Sequence, residues 1–361
     1  MQPKTLPDQH DRWMTARVRG RAYLGLLLAA AAACTAHAAA PILGAGATFP
    51  APLYQAWALE YQRAAGISVR YEAVGSGLGV ERITRRRVDF GGSDAALGVE
   101  QLEAAQLLQF PAVVGGVVPV INIRGIRPGE LRLTGEVLAE IYSGQLRRWN
   151  DPAIAALNPT LQLPRANITV VHRQEPSGSS LLWTGYLSAG SAQWRAHIGA
   201  SLSPAWPSGV GATGNEGVAT VVQRTRFAIG YVEYYFARVH GLSDVALRNH
   251  DGNFVRARSD NFAAAAAASD WHELSSLQQL PMDAHGATSW PITGVSFILV
   301  PRSAPDAERE RAVLRFFDWA IHGGGHLVEQ LDYAPLPQKI IDQLPQLWQT
   351  VHDGADRPLW P

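Results

Sequence analysis

Three times in its first half the chain places a small hydroxyl residue among glycines where a strand-like run gives way to a helix-like one. The stretches are Gly46-Ala47-Thr48-Phe49-Pro50, Val74-Gly75-Ser76-Gly77-Leu78-Gly79 and Arg173-Gln174-Glu175-Pro176-Ser177-Gly178-Ser179-Ser180. A helix start exposes unpaired backbone N–H groups and the positive end of the helix dipole, so it attracts an anion without a lysine. Glycine lets the backbone come close to a ligand, and Ser or Thr adds a short donor at the same point. One such turn is an ordinary capped helix. Three of them, with Asp94 and Arg173 near in sequence, describe a chain that folds by βα alternation around a site for a small oxyanion.

The strand-like segments are Ser68–Val74, Val88–Gly92, the β-branched run Val113–Ile123, Asn167–His172 and Ile292–Val300. Helix-like segments at Ala51–Ala64, Gly79–Arg86, Leu181–Leu187 and Glu308–Ile321 lie between and after them, the last with an apolar face of Val313, Phe316, Phe317 and Ala320. This alternation predicts an α/β fold. At 361 residues and 47% hydrophobic content the chain is long enough for two lobes with a sizeable core. No repeat of fixed period occurs, and the run Ala263–Ala268 reads as a plain helix face.

The N-terminus reads as an export leader covering residues 1–38. Arg17, Arg19 and Arg21 precede a short apolar run at Ala22–Ala33, and Ala36-His37-Ala38 is a small-x-small cleavage pattern. The run is too short to span a bilayer. Met14 offers an alternative start, because the segment before Arg17 is long and polar. The single cysteine, Cys34, lies in this leader, so cleavage after Ala38 leaves no thiol or disulfide. Cleavage before Cys34 would instead leave a lipidated terminus, but Ala31-Ala32-Ala33 lacks the large aliphatic residue that such cleavage needs. A soluble, exported protein is the favoured expectation.

The full sequence has 31 basic and 31 acidic residues; without the first 38 it keeps 26 and 29, a net charge of about −3. Nucleic acid, which requires a basic face, is a poor partner. An anion can still be held by local dipoles. The part after the leader has no Cys-x-x-Cys, His-Glu-x-x-His or EF-hand pattern, and its histidines are scattered, so neither a metal nor a cofactor is expected. His322 and His326 flank Gly323-Gly324-Gly325, which breaks the helix that would align them. No nucleophile elbow and no Walker loop occur either, since Gly75-Ser76-Gly77 lacks the elbow spacing.

Each anion-site candidate has a plainer reading. Thr48 could be an N-cap for Ala51–Ala64, Ser76 could cap the helix after it, and Ser177, Gly178 and Ser179 could cap Leu181–Leu187. Arg173 offers a planar fork for two oxygens, or a surface ion pair. Asp94 could cap Ala95–Leu108. In an anion site its carboxylate makes sense only if the ligand brings a proton to donate. Phosphate near neutral pH meets that condition and sulfate does not.

Seven stretches resemble the periplasmic phosphate-binding proteins of Pst-type ABC transporters. They are Gly-Ala-Gly-Ala-Thr-Phe-Pro-Ala-Pro at 44–52, Val-Asp-Phe-Gly-Gly-Ser-Asp-Ala at 88–95, Phe-Pro-Ala-Val-Val-Gly-Gly-Val-Val at 110–118, Ile-Tyr-Ser-Gly at 141–144, Ala-Ile-Gly-Tyr-Val-Glu-Tyr at 228–234, Trp-Pro-Ile-Thr at 290–293 and Phe-Phe-Asp-Trp-Ala at 316–320. The resemblance implies a two-lobed α/β binding protein of the type II, Venus-flytrap kind, with the ligand cleft between lobes. It implies one lobe of residues 39–114 plus 289–361, another of 115–288, and crossings near 115 and 288. It places phosphate contacts on Thr48, the Phe49 N–H, Ser76, Asp94, Arg173, Ser177, the Gly178 N–H and Ser179, with Asp94 accepting the ligand's proton.

Where the family often has aspartate and glycine this chain has Glu175 and Pro176, and Ser179 stands where threonine is usual. The resemblance further implies a non-enzymatic monomer of the periplasm that passes phosphate to permease and ATPase subunits. A secreted phosphatase-like enzyme, or a phosphate sensor or adhesin on the same fold, are the rival expectations.

Overall fold

The computed structural model describes residues 40–269, 271, 282–304 and 306–361. The leader expectations, Cys34 and the cleavage patterns included, lie outside these residues. No helix among the described residues is long and apolar enough to cross a membrane.

The elements that shape the site follow one another as β1 (Ile42–Gly46), α1 (Ala51–Ala65), β2 (Val69–Ala73), α2 (Ser76–Thr84), β3 (Phe90–Ser93), β4 (Leu107–Ile121), β5 (Thr169–Arg173), α3 (Gly178–Gly190), β6 (Val210–Ala212), α4 (Gly214–Arg224), β7 (Ala228–Glu233), β8 (Thr293–Pro301) and α5 (Ala307–His322). The alternation expected from the sequence is therefore present. Several boundaries differ by one to six residues, two of them for a clear local reason. The first helix after β2 starts at Ser76 rather than Gly79, because Gly75 at φ 94° supplies the sharp turn that lets it begin early. The central strand starts at Leu107 rather than Val113, because the apolar pattern before Pro111 continues the ladder.

The strands join in the order β2-β1-β3-β8-β4-β7-β5-β6, with Ser243–Asp244 adding to β4. β1 pairs in parallel with β2 and β3, while β8 runs antiparallel to β3 and β4. β4 is buried along all 15 residues and serves both halves of the sheet. Its residues Leu107–Gly116 pair with β8, and Val117–Ile121 pair with β7, which in turn pairs in parallel with β5. A strand buried on both faces reads as one apolar run instead of an alternation, as this one does. The result is the two-lobed α/β binding-protein fold.

Each half of the sheet has its own aromatic core. In the first, Phe317 of α5 lies at its centre, with ring centroids 5.0 Å from Phe90, 5.6 Å from Phe110, 6.2 Å from Tyr54 and 4.9 Å from Phe316. In the second, Trp183 of α3 stacks on Tyr231 of β7 at 4.9 Å and meets Tyr142 at 5.1 Å. Phe317 is fully buried. Phe317→Ala should lower stability by about 3–5 kcal/mol, through lost transfer energy plus a cavity. Urea unfolding of the two proteins checks this, and a midpoint shift worth less than about 1 kcal/mol would show that Phe317 is not central to this core.

Candidate functional site

The carboxyl ends of β1, β2, β3 and β5 deliver the three glycine turns and Asp94 to one place. The key contact is the Ser76 hydroxyl, which accepts from the Asp94 N–H at 3.2 Å and from the Gly178 N–H at 3.3 Å. Ser76 makes no side-chain cap to its own helix, so the capping reading fails there. The turns touch backbone to backbone. A Cβ on Gly178 would sit 2.5 Å from the Asp94 Cβ, and one on Gly77 2.8 Å from the Pro176 Cβ. Any other residue at these positions would push the segments apart.

Thr48 is not a cap either. α1 begins at Ala51 after Pro50, which offers no side-chain cap, and the Thr48 hydroxyl instead accepts from Asn215 Nδ2 at 2.9 Å. Phe49 is fully buried, and its carbonyl accepts from the Tyr333 hydroxyl at 2.7 Å. Ser177 does cap α3, accepting from the Ser180 N–H at 3.3 Å, while its own N–H is donated to the Leu202 carbonyl. Ser179 follows two residues later, fully buried, with its hydroxyl unpaired inside the protein.

Arg173 at the end of β5 is 2% exposed, and its guanidinium donates from Nε to Glu175 Oε1 at 2.7 Å and from Nη2 to the same oxygen. A buried guanidinium needs a counter-charge, and Glu175 supplies it in spite of its longer side chain. Glu175 Oε1 also accepts from the Gly214 N–H at 2.9 Å, so the acid is fixed by the start of α4. The second oxygen, Oε2, is buried and unpaired.

Asp94 is 2% exposed, and its Oδ1 has no partner within the protein. The helix after it starts only at Val99 behind Gly98, so Asp94 caps nothing. Burial pushes its carboxyl up to about 7, against the opposing pull of the Ser296 hydroxyl, the Arg173 charge and the Ser76 hydroxyl. A groove of about 460 Å³ opens on the Thr48 side of the site, lined by Thr48, Ala73, Thr213, Gly214 and Asn215 among others and by none of Ser76, Asp94, Arg173 or Ser177–Ser179.

The candidates therefore converge, and four further residues join them. Asn215 follows Thr213-Gly214 at the β6-to-α4 junction, a fourth turn with the same glycine-and-hydroxyl signature in the second half of the chain. Its Oδ1 accepts from the Glu233 N–H at 2.8 Å. Tyr231 holds the Ser180 hydroxyl at 2.7 Å and accepts from the Arg173 N–H at 3.2 Å. Ser296, a polar residue inside the apolar run of β8, lies beside Asp94 and accepts from the Tyr54 hydroxyl at 3.3 Å. Glu233 is buried and held well above the usual carboxylate range by desolvation. Of the histidines noted in the sequence, His322 pairs with Asp318 and His326 with Glu60, each on its own.

Helix starts, hydroxyls and one guanidinium, itself paired to Glu175, around the Asp94 carboxyl in a two-lobed α/β fold define a solute-binding protein for a small anion. Residues 31–322 match the PBP superfamily domain. The phosphate-binding protein PstS of Haemophilus influenzae is 44% identical over 86% of this chain and 92% of its own length, and that of Xylella fastidiosa is 42% identical over 85% and 84%. Among solved structures, a high-affinity periplasmic phosphate-binding protein with phosphate bound superposes with a TM-score of 0.68 at 20% identity, covering 85% of this chain and 93% of that one. A phosphate-binding protein from Stenotrophomonas maltophilia gives 0.60 at 18% identity, with coverage of 85% and 93%. The chain belongs to the PstS family of phosphate-binding proteins.

The raised Asp94 fixes a pH dependence. A carboxyl that keeps its proton to about pH 7 when folded, but loses it near pH 4 when unfolded, stabilises the fold fully only below pH 4. That stability is lost as pH rises to 7 and stays lost above. Glu233 and Glu310 are raised in the same direction, so the comparison must be with Asp94→Asn. In ligand-free protein the wild type should lose up to about 4 kcal/mol relative to Asp94→Asn between pH 4 and 7. Parallel slopes in denaturant titrations across that window would mean that Asp94 ionises normally.

Proposed function

We propose that the chain binds inorganic phosphate in the periplasm and delivers it to the permease and ATPase subunits of an ABC importer, acting as a monomeric binding protein with no catalytic step. The observation that carries this reading is the buried Asp94 carboxyl set among donors. Donors alone would accept any small oxyanion, whereas a carboxyl facing them requires a proton between ligand and protein. Phosphate contacts are assigned to Thr48, the Phe49 N–H, Ser76, Asp94, Arg173, the Gly178 N–H and Ser179, with Ser177 at the cap. The names of the relatives and the phosphate carried by a structural neighbour support the ligand.

The lobes are assigned to residues 39–114 with 289–361, and to 115–288. β4 changes partner from β8 to β7 between Gly116 and Val117, which suits a hinge there. Ser76 with Gly178, and Thr48 with Asn215, would then be contacts made on closure. Export through the leader accounts for the compartment.

Two titrations test the assignment. Arg173→Ala should weaken phosphate binding at least tenfold in calorimetry, because the guanidinium is the one full positive charge assigned to the ligand. Near-native affinity would remove it from the site. Sulfate provides the second test. Below about pH 7 Asp94 carries its own proton and can donate it to a sulfate oxygen; above, two acceptors face each other. Sulfate competition should therefore fall about tenfold per unit of rising pH beyond 7. In Asp94→Asn, whose amide donates at every pH, it should stay flat. Sulfate exclusion that ignores pH in the wild type, or persists in the variant, would overturn the role given to Asp94.

A further inference from the structure

A second cluster of chemistry-bearing side chains lies on the surface, apart from the cleft. His250, Asp251 and His285 each offer one ligand atom, and those atoms lie within 4.8 Å of one another. The two imidazole rings meet with centroids 4.0 Å apart at 66°. Each ring has a carboxylate at Nδ1: Asp283 Oδ2 stands 3.3 Å from His250 Nδ1, and Asp251 Oδ1 stands 3.1 Å from His285 Nδ1. A carboxylate on one ring nitrogen is how metal-bound histidines are commonly oriented, and Asp283 stands so to His250, while Asp251 lies as close to His285 Nδ1 as two ligands of one zinc lie to each other.

The two loops that carry these groups are 35 residues apart in sequence and are locked together from beneath. Asn249, which is buried, donates from Nδ2 to the Gly286 carbonyl at 2.9 Å and to the Ser289 carbonyl at 3.2 Å. Its Oδ1 accepts from the Asn253 N–H at 2.9 Å, and the Gly286 N–H closes the ring by donating to Asp251 Oδ2 at 2.9 Å. The imidazoles are thus held side by side by a scaffold that does not depend on them.

With both rings neutral, two carboxylates give the cluster a formal charge of −2, which a divalent cation would cancel. Two imidazoles and a carboxylate suit zinc(II) and its transition-metal neighbours, while magnesium and calcium prefer all-oxygen sets. We propose that His250, Asp251 and His285 form a surface site for a divalent transition-metal ion of the zinc class, with Asp283 orienting His250. Tetrahedral ligands around a zinc with bonds near 2.0–2.1 Å stand about 3.3 Å apart, a spacing open to three atoms already within 4.8 Å of one another. The ion would staple the turn at Asn249–Gly252 to the loop that leads into β8.

Tag-free full-length protein carrying Cys34→Ser, so that no thiol competes, is stripped with a chelator and titrated with zinc chloride by calorimetry in phosphate-free buffer. The site predicts one equivalent bound at micromolar or tighter affinity. His250→Ala and His285→Ala should each weaken it at least tenfold, and the pair together should abolish it. His326→Ala, on another face, should change nothing. Because all three histidines are exposed, the variants should melt like the parent without metal, and only the parent should gain melting temperature with added zinc. Absence of saturable binding, or equal binding by the His250→Ala/His285→Ala protein, overturns the site.

Discussion

One hydroxyl oxygen holds the cleft together. Ser76 accepts N–H groups from Asp94, 18 residues away, and from Gly178, 102 residues away. Three chain segments can meet at one small side chain only if their backbones come almost into contact, and this explains the glycines. Gly178 rests on Asp94, Gly77 on Pro176, and a Cβ on Gly79 would fall 2.4 Å from the Gly46 Cα. In an open α/β sheet the crevice at the carboxyl ends of the strands is where ligands bind, and these turns occupy it. The sheet order, the long central strand and the two aromatic cores serve to bring those strand ends to the same edge.

Burial then sets the electrostatics. The Asp94 carboxyl and the Arg173 guanidinium are almost removed from water, the Glu175 carboxyl only partly so, and the three are not treated alike. Arg173 and Glu175 are paired and fixed further by the Gly214 N–H, so they form a unit of little net charge. Asp94 receives only weak help and bears the desolvation penalty itself, which is why its proton stays on to about pH 7. Glu175 thus frees Asp94 from having to neutralise the arginine. A carboxyl poised between its two protonation states can match a ligand that is itself between two protonation states.

Much of this could be read from the sequence, for a physical reason. Turn chemistry is local: a glycine with positive φ and a hydroxyl before a helix leave marks within five residues, so Thr48, Ser76 and Ser177–Ser179 could be found one by one. What each hydroxyl does could not, because a cap and a ligand contact look alike until the partner is known. Ser177 accepts from the Ser180 N–H as a cap and keeps its own O–H to donate, whereas Thr48 and Ser76 accept from other segments. Ser296 and Tyr231 were hidden inside strands whose apolar neighbours mask a single polar atom. Asn215 follows a turn of the same signature, but its link to Thr48, 167 residues away, leaves no local mark. The cluster at His250 and His285 has no sequence spacing at all, since it exists only through the Asn249 bridge between two loops.

The overall charge of the chain can now be set against its site. A mildly acidic protein would repel an anion if binding depended on the global field, yet only one guanidinium among the assigned contacts carries a full positive charge. The starts of α2, α3 and α4, by contrast, meet at the site, and helices of 9, 13 and 11 residues bring the positive ends of their dipoles there without adding charge. Such partial charges are fixed, buried and little screened by salt, and they cost no counter-ion when the cleft is empty. A cluster of lysines could not do the same, since it would stabilise every anion equally and would have to be neutralised in the unliganded state. Dipoles supply attraction, and the single carboxyl among them supplies choice.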